Sequence, residues 1–288
     1  MKKRRKKRPS SQGAVYLTAL ICIICLCYEP IAKALHITPP VSLKEMTKVK
    51  GIKEKKEIKE NNILFPAPMK NVSEQILHRK GYTVSYNRDL KLPNWVAWEL
   101  TPEKLVERES RTNKFLPDPD LPEREAVTTD DYKGAGMDRG HMCPSGDNRW
   151  HWKAMQESFY MTNICPQDHN LNRGDWKELE EECRRWAQEE GRIYIVCGPV
   201  LYNRRHRTIG KEHKITVPEA FFKVILCADS NPPKAIGFLY ENTSGNHPLD
   251  SYINTVDDVE RITGIDFFPA LPDDIEEKVE ARYDLKLW

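Results

Sequence analysis

Apolar residues fall into short runs separated by polar stretches along most of the chain. "GYTVSYN" (81–87) and "NWVAWEL" (94–100) are rich in β-branched and aromatic residues, and "RDLKLP" separates them. That pattern predicts an antiparallel hairpin. Residues 101–136, rich in Pro, Asp, Glu and Arg, predict a long surface excursion. "SFYMTNIC" (158–165), "RIYIVCGPVL" (192–201), "AFFKVILC" (220–227) and "AIGFLYEN" (235–242) predict further strands. A helix is expected from near Asp168 to about Glu190, and "VDDVERITGI" (256–265) reads as a helix ended by Gly264. Strands in hairpin-like succession, with helices inserted between them, predict an α+β domain: a mainly antiparallel β-sheet flanked by helices.

The N-terminal pattern differs. "GAVYLTALICIICLCY" (13–28) runs uncharged for 16 residues, after a head carrying seven of the eight Lys/Arg of residues 1–34. With "AKA" at 32–34, residues 1–34 read as a secretory signal cleaved after Ala34. An uncleaved membrane anchor through residues 13–28 stays open, although a spanning helix needs about 20 residues. Because the apolar run is unbroken rather than amphipathic, it argues against a mitochondrial presequence. The expected location is therefore secreted or periplasmic, or membrane-anchored with the remainder outside the cytoplasm. Residues 35–61 are lysine-rich and read as a charged linker, with a short helix predicted at 53–60. Residues 62–288 are the expected globular domain.

Charge and cysteine use sharpen this picture. Residues 61–288 carry 30 Lys/Arg against 38 Asp/Glu, a formal net charge of −8. A domain that held nucleic acid by bulk charge would be basic, so any polyanion site must be a local patch. "NRRHR" (203–207) and "HRKGY" (78–82) are candidate patches. Five cysteines follow the apolar run: Cys143, Cys165, Cys183, Cys197 and Cys227. Outside the cytoplasm an odd number leaves at least one thiol free or bridged to another chain. Cys197 and Cys227 sit in strand-like runs and are candidates for a cross-strand bridge.

Chemistry concentrates in "MDRGHMCPSGDNRW" (137–150) and "TNICPQDHNLNRGDWKELEEECRRW" (162–186). Asn172, Trp176, Glu180 and Arg184 recur every four residues, so one helix beginning near Asp168 puts them on one stripe. Gly174 opposes that start by about 1 kcal/mol, and Asp175 with Glu178 offers a later cap. An amide oxygen and a carboxylate are hard ligands suited to Mg²⁺. A histidine is mostly neutral at pH 7 and accepts a proton from water, and arginine supplies fixed donors to phosphate oxygens. Together these are the parts of metal-assisted phosphodiester hydrolysis.

The quartet "DRGH" (138–141), followed by "NICPQDHNLNRGDWKELE" (163–180), resembles the DNA/RNA non-specific endonuclease family with its ββα-metal core. The resemblance covers roughly residues 62–275. "GYTVSYNRDLKLPNWVAWEL" (81–100) resembles the family's opening hairpin, and "VDDVERITGIDFFPAL" (256–271) its closing helix and tail. It implies hydrolysis of DNA and RNA with little sequence preference, leaving 5′-phosphate ends. It implies a catalytic set of His141, Arg139, Glu180, Arg184 and Asp138, with His141 as the general base. Asn172 would be the direct protein ligand of a hydrated Mg²⁺, for which Mn²⁺ can substitute, and Glu180 would reach the ion through water and help protonate the leaving oxygen. Arg139 and Arg184 would contact phosphate, with Asn163 and Gln167 as further substrate-side support. Asp138 would organise the loop and Gly140 would allow its turn. Homodimers occur in the family, but no dimer surface is identifiable from the sequence.

Two other function classes stay open. One is an envelope-anchored protein that binds nucleic acid without cutting it. The other is a zinc-dependent hydrolase, for which His141, Cys143, Cys165 and His169 are the candidate ligands despite irregular spacing.

Overall fold

The computed structural model describes residues 63–288 except Asn203, Arg204 and Ser244. The apolar run at 13–28 and the linker at 35–61 lie outside the described residues. Among the described residues no helix is long and apolar enough to cross a membrane.

The strands are β1 (Gln75–His78), β2 (Thr83–Asn87), β3 (Leu92–Leu100), β4 (Asp138–His141), β5 (Ile164–Gln167), β6 (Ile193–Val200), β7 (Thr208–Ile209), β8 (Ile215–Thr216), β9 (Ala220–Cys227), β10 (Lys234–Glu241) and β11 (Ile253–Asn254). The helices are α1 (Trp152–Ser158), α2 (His169–Arg173), α3 (Asp175–Glu190), α4 (Val256–Thr263) and α5 (Asp273–Glu280). Seven strands form one sheet in the order β1-β2-β3-β6-β9-β10-β11. Each neighbouring pair is antiparallel. The architecture is α+β, as the run pattern predicts.

The sheet is covered on both faces, which is why β2 and β9 are buried at every position. On one face Trp98, Ile195, Phe221 and Phe238 meet Trp176, Leu179, Cys183 and Trp186 of α3. Those four helix residues recur at three- and four-residue intervals, the spacing of one helical face. On the other face Ala97, Val196, Phe222 and Val224 pack against Val256 and Val259 of α4 and Val279 of α5. Thr255 caps the start of α4 by accepting from the Asp258 N–H, and Gly264 in the left-handed conformation ends it.

The strand predicted at 158–165 is shorter and later. Residues 152–158 are helical, a 3₁₀ turn covers 161–163, and β5 spans only Ile164–Gln167. The expected single helix from Asp168 is split. Asp168 caps α2 by accepting from the Asn170 and Leu171 N–H groups, but Gly174 adopts φ −103°, ψ −110° and α3 restarts at Asp175. Asp175 does not act as a cap; its carboxylate accepts from Tyr252 and from the Asn246 N–H. All five cysteines among the described residues are buried and free. The Cys197–Cys227 bridge is absent because the register sets Cys197 opposite Lys223 and Cys227 opposite Lys234.

Candidate active site

The DRGH quartet forms a strand rather than a loop. β4 pairs with β5 in antiparallel register, Asp138 opposite Gln167 and His141 opposite Ile164. Gly140 therefore makes no turn; its role is close approach. A Cβ there would lie 2.1 Å from Gln167 Oε1 and 2.7 Å from Gln167 Cβ. Gly140→Ala is expected to cost about 1–3 kcal/mol by forcing the two strands apart, read as a lower midpoint in urea unfolding. An unchanged midpoint would refute that packing.

This hairpin, with α2 and α3 beside it, brings His141, Arg139, Asp138, Asn172, Glu180 and Arg184 to one cleft of about 920 Å³. Arg111, Lys133, Arg149, Arg173 and Lys177 also line it, against the acids Glu107, Asp138 and Glu180. The acidic domain thus carries the local basic patch that the charge argument required. Among the described residues, neither candidate patch lines the cleft. Arg79 is tied to Asp118 and Asp120, Arg207 donates to the Ala135 carbonyl, and Asn203 and Arg204 lie outside the described residues.

His141 is 9% exposed and held by rings: Phe159 meets it edge-on at 4.8 Å and Phe115 at 5.4 Å. Its Nε2 has no hydrogen-bond partner among the described residues. Burial, followed by the charges of Arg111 and Arg139, pushes its pKa down to about 3, so the ring is neutral at pH 7 and able to accept a proton. Its carbonyl accepts from Trp176 Nε1 at 3.2 Å. Trp176 is therefore a buried anchor beneath the site and leaves the expected stripe.

Asp138 fixes the Asn172 amide. Its Oδ2 accepts from Asn172 Nδ2 at 2.9 Å, and its Oδ1 lies 3.2 Å from His169 Nδ1. Burial alone would raise the Asp138 pKa, but the bonds from Asn172 and His169 hold it below the usual range. A carboxylate can only accept, so the Asn172 NH₂ must face Asp138, and Oδ1 is left as the ligand end. Burial pushes Glu180 up to about 7, against the opposing charges of Lys223 and Arg184. One oriented amide oxygen and one carboxyl oxygen are hard donors that suit a hydrated hard cation, so these residues fit the implied Mg²⁺.

Asn163 does not face substrate. It is fully buried, and its amide bonds the Cys143 N–H and the Cys143 and Ser158 carbonyls, bracing the segment after β4. Gln167 is also fully buried, behind Gly140. Both therefore support the site from within, which corrects the expectation of substrate contact. The zinc quartet does not form: among the described residues the one group of three or more His, Cys, Asp or Glu converging at ligand distance is elsewhere.

Four site residues escaped the sequence reading. Arg111 lines the cleft, and Phe115 stacks between His141 and Arg139, whose guanidinium lies 4.3 Å from the ring centre. Buried Asp147 accepts from Arg184 Nη1 and Trp98 Nε1, both at 3.0 Å. Lys223 lies fully buried, its ammonium 4.2 Å from the centre of the Trp176 ring. The available signal for the first two was the length of the 101–136 excursion, since long structureless loops in compact domains are often functional.

Residues 61–274 match the model of a family described as DNA/RNA non-specific endonuclease. The chain is 34% identical over 209 residues to "Nuclease EXOG, mitochondrial" of Xenopus laevis, an overlap of 67% of this chain and 58% of the frog protein. It therefore spans less than two thirds of that relative. It is 33% identical to "Nuclease" of a Nostoc species over 73% of this chain and 78% of that protein. A solved structure described as "Crystal structure of the EndoG/EndoGI complex: Mechanism of EndoG inhibition" superposes with a TM-score of 0.67 at 26% identity, covering 74% of this chain and 93% of the other.

Proposed function

The chain belongs to the DNA/RNA non-specific endonuclease family, and on that premise we propose that it is a Mg²⁺-dependent endonuclease hydrolysing DNA and RNA to 5′-phosphate ends. The observation that carries this reading is the meeting of a neutral buried imidazole, an oriented amide oxygen and a carboxyl in one arginine-rimmed cleft.

In this mechanism Arg139, Arg111 and Arg184 bind the phosphate and His141 takes a proton from the attacking water. The arriving negative charge offsets the two guanidinium charges that depress the His141 pKa, so its basicity rises when substrate is bound. Water oxygen bonds to phosphorus, the P–O3′ bond breaks, and O3′ leaves with a proton from a water that the Glu180 carboxylate holds by accepting a hydrogen bond. Asn172 Oδ1 and Glu180 would hold the ion, Glu180 through water, and Mn²⁺ meets the same ligand preference. When bound, the ion would supply positive charge against the negative charge developing on the phosphoryl and leaving oxygens.

The direct test uses the full chain with supercoiled plasmid and, separately, structured RNA. Degradation of both with Mg²⁺, abolished by excess chelator, is the expected result. Retention of both polymers uncut would overturn it and favour a nucleic-acid-binding protein. The pH dependence gives a second test. Glu180 must lose its proton to serve the ion, so Mg²⁺ affinity should rise by about tenfold between pH 6 and pH 8. Metal titrations followed by thermal unfolding read this, and Glu180→Gln should flatten the dependence. A flat profile in the unaltered protein would remove Glu180 from the metal site.

Residues 1–34 are read as an export signal or an anchor through residues 13–28, residues 35–61 as a linker, and residues 62–288 as the catalytic domain. The apolar run supports this reading. N-terminal sequencing of the mature protein, with cell fractionation, tests it. Recovery of the protein inside mitochondria would overturn it.

A further inference from the structure

On the sheet face away from the cleft, α4 and α5 bring three carboxyl groups together. One oxygen each from Asp257, Glu260 and Glu280 lie within 4.8 Å of one another. Asp257 is exposed and Glu260 half-buried, whereas Glu280 is only 6% exposed. Glu280 reaches this cluster with one carboxyl oxygen, and its buried Oε1 has no hydrogen-bond partner among the described residues. A buried acceptor left without a partner costs about 1–3 kcal/mol, more when charged.

Basic residues on the same helices are engaged elsewhere: Arg261 pairs with Asp258, and Lys278 with Asp274. Burial raises the Glu280 pKa most, and the charges acting on it are all acidic, from Glu260, Glu276, Asp257 and Asp266. Glu280 is pushed up to about 9 and Glu260 to about 7. Glu280 is also the last residue of α5, at a helix end whose exposed carbonyls carry partial negative charge and favour a cation. One oxygen of Glu260 is fixed by the Phe267 N–H at 2.6 Å, which orients the carboxyl.

We propose that Asp257, Glu260 and Glu280 form a second, structural cation site that takes Ca²⁺ and clamps α5 to α4. Ca²⁺ accepts six to eight oxygens in flexible geometry and takes several protein carboxylates, whereas Mg²⁺ demands near-ideal octahedral geometry and keeps several waters, so three carboxyl groups on two helices suit Ca²⁺ better. Glu280 lies beyond the family match, which ends at residue 274. Asp257 and Glu260 lie within that match.

The experiment is thermal unfolding of the metal-free full chain with CaCl₂ or MgCl₂, in the unaltered protein and in the Asn172→Ala, Glu280→Gln and Asp257→Asn variants. Asn172→Ala weakens the cleft site, so a Ca²⁺ response that survives in it originates elsewhere. Ca²⁺ at about 100-fold excess over its Kd should raise the Tm of the unaltered protein and of Asn172→Ala by about 5 °C. Mg²⁺ should raise the Tm of Asn172→Ala less. Glu280→Gln should lose the Ca²⁺ shift. Asp257→Asn, at an exposed position, should diminish it and provides the test if Glu280→Gln does not fold. No Ca²⁺ shift in Asn172→Ala, an undiminished shift in the cluster variants, or an equal Mg²⁺ shift in Asn172→Ala would each overturn the assignment.

Discussion

Replacing His141 by alanine is expected to slow cleavage of plasmid and RNA by about 10²–10⁴-fold, the usual contribution of a positioned general base. The change falls on kcat because the ring acts on the attacking water and does not hold the phosphate. Several features give the ring that role. It is neutral at pH 7, wedged between Phe115 and Phe159, and its Nε2 is uncommitted among the described residues. The fold should survive, because β4 is held by backbone pairing with β5 and by the Trp176 bond to the His141 carbonyl, neither of which needs the side chain. Single-turnover cleavage, with circular dichroism as the folding control, reads the effect. A variant that folds and cuts within threefold of the unaltered rate would sink the assignment of the base.

Asp147→Ala should have a comparable effect on stability, a loss of about 3–5 kcal/mol in urea unfolding. The Asp147 side chain is 1% exposed and accepts from two donors, the Arg184 guanidinium and the Trp98 indole. Burial raises the Asp147 pKa while Arg184 opposes that rise, so the pair is coupled in the interior. Removing the acid leaves a half-buried guanidinium without its counter-charge and an indole N–H without an acceptor. It also frees Arg184 from the orientation that presents it to the cleft, so KM should rise more than kcat falls. Asp147→Asn keeps an acceptor for Trp98 and should recover part of the stability. An unfolding midpoint unchanged in Asp147→Ala would show that the buried pair contributes nothing.

Both residues sit in the segment 137–150, yet only one was legible there. His141 stands out in DRGH because its chemistry and its spacing to Asn172 and Glu180 are linear facts. Asp147 reads as one more polar residue until the fold sets it under Trp98 and Arg184. Arg111 and Phe115 are similar. A parallel bridge between Leu116 and Tyr160, with the Leu116 N–H donating to the Phe159 carbonyl, sets Phe115 against His141. Nothing local to residues 111–116 encodes that contact.

The sequence by itself determined most of the strand-forming runs, the helix ended by Gly264, the acidic balance of the domain and the spacing of DRGH to Asn172 and Glu180 that carries the family resemblance. These depend on period, composition and fixed spacing, which the backbone converts directly into local structure. Only the tertiary structure decided that helix 168–190 breaks at Gly174, that DRGH is a strand, and that Asn163 and Gln167 face inward. It also decided which arginines line the cleft. Those outcomes depend on sheet order and on competition for buried hydrogen-bond partners. Such partners lie tens of residues apart along the chain and meet only when the core has packed.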